Sequence, residues 1–117
     1  MKTLNQVLQE VHDTTDFSML ENVDVNTRGL FENTPLHVVM SWGDVEAAEL
    51  LVAAGADVNA QGEYGDTPLH RIIGNNNKKM VDLLLRSGAN PRLKNKDGVD
   101  CYELAKKFGE ESFFQKG

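Results

Sequence analysis

The chain of 117 residues reads as an all-α solenoid, a stack of helix-turn-helix units, on three observations. Thr34-Pro35-Leu36-His37 returns whole as Thr67-Pro68-Leu69-His70, a step of 33 residues. The same step carries Asp24-Val25-Asn26 to Asp57-Val58-Asn59 and Asn90-Pro91-Arg92, Gly55-Ala56 to Gly88-Ala89, and Leu50-Leu51 to Leu83-Leu84. Between these landmarks, apolar residues recur at helical spacing and the runs end in Gly or Asn. A fixed step of this size marks units that bury their apolar faces only by stacking on one another.

The first unit, residues 1–29, is degenerate. Leu4, Val7, Leu8 and Val11 share one helical face, and Thr14, Thr15 and Asp16 give turn or capping chemistry before Phe17, Met19 and Leu20. One step before Gly55 stands Asn22, which places a left-handed residue there. The outer face of this unit is expected to be polar, because nothing stacks on it. In residues 30–62, Thr34 caps a helix whose first position Pro35 suits, since its missing N–H is not needed there. Leu36, Val39 and Met40 face the core, and Gly43 ends the helix. A second helix presents Val45, Ala48, Leu51 and Val52, with Ala47, Ala48, Ala53 and Ala54 permitting close approach, and stops at Gly55.

Residues 63–95 repeat this plan. Thr67-Pro68 opens the first helix, Ile72 and Ile73 replace Val39 and Met40, and Asn76 takes the left-handed place of Gly43. Met80, Val81, Leu83, Leu84 and Leu85 form the second helix, which ends at Gly88. In the truncated last unit, residues 96–117, Asp100 replaces Thr as N-cap and Gly109 keeps the step. Glu111, Ser112, Phe113 and Phe114 are the remnant of a second helix that covers the core. A further set, Gly29, Gly62 and Asn95, lies between units and is expected to adopt positive φ.

The step length and the Thr-Pro-Leu-His motif resemble the ankyrin-repeat family, closely in the two central units and weakly at both ends. The resemblance implies one ankyrin-repeat domain over residues 1–117, with short β-hairpin-like fingers between helix pairs. It further implies a protein–protein interaction module without catalysis or cofactor, in which His37 and His70 are structural. The family's recognition surface maps onto Leu30, Phe31, Asn33, Ser41 and Trp42, then Glu63, Tyr64, Asp66, Gly74 and Asn75, then Lys96, Asp97, Val99, Lys107 and Phe108. Glu32 departs from the finger glycine seen as Gly65 and Gly98, so the second unit's finger is expected to differ in shape.

The residues point away from other classes. There is no phosphate-binding glycine loop, no Cys-x-x-Cys and no pair of carboxylates set apart for acid–base work. His37 and His70 stand one repeat apart, about 10 Å between packed helices, too far to share a metal. His12 falls on the polar side of its helix and is expected to be solvated. Cys101 has no histidine after it to act as base and reads as a small semi-buried filler. It is the only cysteine, so no internal disulfide is available and an oxidising compartment is not implied. The N-terminus lacks the apolar run of a signal peptide and no stretch is long enough to span a membrane, so a cytoplasmic monomer is the expectation.

Charge is uneven within a net −6. Residues 31–63 hold six carboxylates and no Lys or Arg, whereas residues 64–96 hold seven cations against two carboxylates. One reading is ordinary solvated faces; the sharper one is a bipolar surface that orients a charged partner. Phe31 and Tyr64 fall at the same place on successive fingers, either as contact rings or as rings folded back over their own units. Trp42 has the profile of a binding hot spot. The chain resembles small stand-alone bacterial ankyrin proteins, some of which are immunity proteins; the acidic stretch would suit a basic toxin or enzyme. The alternative is a nucleic-acid adaptor using the basic third unit, Arg71 to Lys96, against which net charge and the lack of a nucleic-acid motif argue.

Overall fold

A computed structural model describes residues 2–114. Six α-helices follow in order: α1 (Leu4–His12), α2 (Pro35–Trp42), α3 (Val45–Ala53), α4 (Pro68–Ile72), α5 (Lys78–Arg86) and α6 (Cys101–Phe108), with a closing 3₁₀ turn at Glu111–Phe114. Local chemistry starts each helix. In α1, the Thr3 N–H donates to Gln6 Oε1 (2.8 Å) and the Gln6 N–H donates back to Thr3 Oγ1 (3.2 Å), a reciprocal capping box. Asp44, Asn77 and Asp100 cap α3, α5 and α6 through their side-chain oxygens.

The helices form two rows. α1, α2, α4 and α6 pack in sequence along one, and α3, α5 and the 3₁₀ turn along the other. The smallest dimension, 20 Å, is two helix diameters. Leu36, Val39 and Met40 meet Ala48 and Leu51 in the core, followed by Leu69 and Ile72 with Met80, Val81 and Leu84. At the N-terminal end Val7, Val11 and Phe17 are fully buried, and at the other end Phe113 and Phe114 lie against the core, Phe114 with its ring 5.3 Å from that of Tyr102. Ala47 and Ala48 are buried between helices, but Ala53 and Ala54 are exposed, because they fall on the solvent side of the last turn of α3.

Side chains bind each repeat to the next. The Thr34 N–H donates to His37 Nδ1 (3.0 Å), so that nitrogen is unprotonated, and the proton on Nε2 goes to Asp66 O (2.8 Å) in the following finger. His70 repeats this with Thr67 N–H and Val99 O. Asn26 donates to Gly55 O and accepts from Asp57 N–H; Asn59 does the same with Gly88 and Asn90. Arg28 donates to Glu32 O and Gln61 O, and Gln61 in turn donates to Gly65 O and Lys94 O.

The fingers contain no strand among the described residues. Each is a closed turn: Gly29 N–H to Asn33 O, Gly62 N–H to Asp66 O and Asn95 N–H to Val99 O, at 2.8 to 3.0 Å. The left-handed residues are not Gly29, Gly62 and Asn95 but the set three further on, Glu32 (φ 71°), Gly65 (72°) and Gly98 (74°). Glycine at 29 and 62 answers a different need. A Cβ at Gly29 would lie 2.5 Å from Asp16 Oδ1, and one at Gly62 would collide with Asn33 Oδ1. Glu32 therefore does not change the finger's left-handed turn; it accepts the strain of holding it. Asn22 is not left-handed either. α1 begins at Leu4, two residues later than Pro35 would place it, and turns replace the second helix of this unit, so the step fails before Asp24. Gly43, Gly55, Asn76, Gly88 and Gly109 all have positive φ, as their places in the step require.

Two outcomes test this account. Glu32→Gly should raise stability by about 0.5–1 kcal/mol in urea unfolding, the relief of left-handed strain less the entropy of an added glycine. A loss would contradict it. Burial, the largest cause, and the cations of Arg71 and Arg28 hold His37 down at about pKa 4, with the Asp66 carbonyl opposing. The fold thus prefers neutral His37: its contribution is complete above pH 6.5 and is lost as pH falls toward 4, by about 3 kcal/mol over that window. His37→Gln keeps the capping box that Gln6 makes in α1 and should flatten the dependence of unfolding free energy on pH between those values.

Candidate partner-binding surface

The expected surface residues fall in two bands on either side of the first helix of each pair. Phe31 and Tyr64 sit at the finger turns, 51% and 65% exposed. Leu30 beside Phe31 is also exposed. Trp42 ends α2 at 39% exposure and Phe108 ends α6 at 52%. The eight residues of α2 separate its two bands by about 12 Å. Ser41, Asn75, Lys96, Asp97 and Lys107 are exposed, while Glu63, Asp66 and Val99 are half-buried.

Asn33 does not belong to an open surface. It is 5% exposed, and its Oδ1 accepts the Glu63 N–H at 3.0 Å, which ties one finger to the next. Asp66, its equivalent, accepts from Asn95 Nδ2 at 3.0 Å. The two fingers also differ in backbone. Tyr64 is itself left-handed (φ 60°), which Phe31 is not, and its carbonyl accepts the Lys96 N–H at 2.9 Å. Gly65 permits this approach, since a Cβ there would lie 2.9 Å from Lys96 N.

Asn75 is not the helix-end residue that its equivalence to Trp42 and Phe108 implies. α4 stops at Ile72; Ile73 is extended and Gly74 left-handed (φ 98°). The cause is Glu110, which sequence reasoning missed. This residue is 5% exposed, and its carboxylate accepts the Gly74 N–H (3.1 Å) and the Asn76 N–H (2.9 Å). Glu110 stands where Asp44 and Asn77 cap the second helices. A glutamate, one methylene longer, reaches across to the neighbouring turn instead. That substitution in a capping slot was the available signal. Phe108 packs over Gly74, where a Cβ would be 3.4 Å from its ring.

The candidate chemistry elsewhere is absorbed by structure. His12 is only partly solvated: its Nε2 lies 2.8 Å from Leu20 O, which ties it to the turns after α1. Cys101 is fully buried, and burial pushes its thiol up to about 12 against a weaker opposing hydrogen bond to Thr67. Thiolate nucleophilicity is therefore lost at ordinary pH. The cations of the third unit are divided among α4, α5 and the last finger, and Lys78 and Arg86 are both held by Asp82. No group of three or more His, Cys, Asp or Glu among the described residues could hold a metal ion, and no helix there is long and apolar enough to cross a membrane.

A family model for ankyrin repeats, in three copies, matches residues 6–95. No curated protein matches the chain. Glu110→Ala, which removes the charged acceptor of two backbone N–H groups, should cost about 2–3 kcal/mol in urea unfolding and speed amide exchange at Gly74 and Asn76. Unchanged exchange at both amides would mean the carboxylate does not hold this turn.

Proposed function

The chain belongs to the ankyrin-repeat family, whose repeats generally bind other proteins, and on that premise we propose that it is a non-catalytic binding module whose partner docks on the finger turns and the ends of α2 and α6. One observation carries the reading. Phe31, Tyr64, Trp42 and Phe108 are all exposed large rings, and they occur as two pairs of repeat-equivalent positions. Large aromatics exposed beside a rigid frame are the usual anchors of protein interfaces. The frame is held by hydrogen bonds between repeats, so little conformational freedom is lost on docking.

The proposed partner is a basic protein, and the proposed role is inhibition of it, as an immunity protein does for a toxin or enzyme. Support comes from the six carboxylates between residues 31 and 63, a stretch that holds no Lys or Arg of its own. The proposed setting is the cytoplasm, where a lone reduced cysteine is ordinary. A monomer is proposed because α1 and the Phe113–Phe114 turn close the core at its two ends.

The test is capture from native lysate with wild type and with Phe31→Ala, Trp42→Ala and Tyr64→Ala. Each single change should weaken the captured partner about tenfold or more while shifting stability by less than about 0.5 kcal/mol. A partner held equally by all three variants would remove these rings from the interface.

A further inference from the structure

Trp42 already has a cation beside it, supplied by the chain itself. The ammonium of Lys2 lies 2.6 Å from Asp44 Oδ2, 3.3 Å from Glu10 Oε2 and 6.0 Å from the centroid of the Trp42 ring. The Lys2 N–H also donates to Glu46 Oε1 at 3.3 Å. The groups that gather there come from three helices: Glu10 from α1, Trp42 from the end of α2, and Asp44 and Glu46 from the start of α3. Asp44 is fixed in place, because its Oδ1 accepts the Ala47 N–H and caps α3, which leaves Oδ2 for the ammonium. The paired charges hold Lys2 above and Asp44 below their ordinary ionisation ranges, chiefly through their mutual hydrogen bond.

We propose that Trp42, Asp44 and Glu10 form a socket for a lysine or arginine side chain of the partner, and that Lys2 is a placeholder which the partner displaces. This rests on the reading of Trp42 as a contact residue and gives that contact its chemistry. Lys2 is suited to leaving. It lies outside α1, a third of its side chain is open to water, and ion pairs that water reaches in this way contribute little. An incoming guanidinium is suited to replacing it, since its planar, weakly hydrated face stacks on indole, which an ammonium cannot do. Docking also removes water from the ring, which strengthens a cation over its face. Carboxylates around the ring repel phosphate, so the socket selects a basic protein over a nucleic acid.

Trp42 is the only tryptophan, so its emission reports this site alone. The probe is an acetylated, amidated peptide of five arginines, titrated at low salt. Lys2→Ala empties the socket and should tighten binding about three- to tenfold, with a larger shift of Trp42 emission. Lys79→Ala removes an equal charge from α5, away from the socket, and should stay within about twofold of wild type. Asp44→Asn keeps a good N-cap, verified by an unchanged melting temperature, and should weaken binding about three- to tenfold. Equal affinities for Lys2→Ala and Lys79→Ala would overturn the socket and leave the ring surface standing if the ring variants lose their partner. The reverse pattern, with Lys2 and Asp44 behaving as stated while Phe31→Ala and Tyr64→Ala keep full capture, would retain the socket and remove the fingers.

Discussion

The structure depends on one small device, an imidazole used from both sides. His37 takes the Thr34 N–H on Nδ1, which completes the start of α2, and gives its Nε2 proton to the carbonyl of Asp66 in the next finger. One ring thus fixes a helix, a tautomer and the distance between neighbouring repeats. His70 does the same toward Val99. Because the His37 ring is buried and bonded at both nitrogens, a second proton on it has nowhere to go. The same requirement that makes the fold rigid makes it sensitive to acid.

The other links divide the work by position. Asn26 and Asn59 each reach the turn that ends the following unit's second helix, while Arg28 and Gln61 join finger to finger. A solenoid unit cannot bury its apolar face alone, so stacking supplies the stability and these polar links supply the spacing. Together they hold the exposed rings of Phe31 and Tyr64 on backbone that is closed by its own hydrogen bonds. Rigidity of this kind is what lets a surface bind without first having to order itself.

Much of this was legible in the residues. The 33-residue step located α2 to α6, Gly43 and Gly109 were correctly placed as left-handed helix ends, and Asn76 as a left-handed residue of a polar loop. What escaped had physical reasons. Glycine serves both left-handed backbone and close approach, and the letters alone do not say which; Gly29 and Gly62 turned out to serve the second, and the left-handed place passed to Glu32. A repeat register cannot be carried into a unit that has lost a helix, hence the failure at Asn22. Of the candidate surface, Leu30, Phe31, Trp42 and Tyr64 were placed on the exterior, but Asn33 was not, because an asparagine can point to a partner or to the next finger with the same chemistry. Glu110 and Lys2 act across the fold: a glutamate in a capping slot was the one sign of the first, and no local pattern announces the second.

The central claim is that histidine bridges between repeats hold the fingers in one conformation. Amide hydrogen exchange at Gly62 and Gly65 measures it most directly, comparing wild type with His37→Gln. Both amides are bonded inside the finger whose Asp66 carbonyl His37 holds. The account predicts strong protection in the wild type and faster exchange at these two sites in the variant, with Gly98 beside the intact His70 bridge unchanged. Finger amides that exchange freely in the wild type, or that do not respond to His37→Gln, would contradict it.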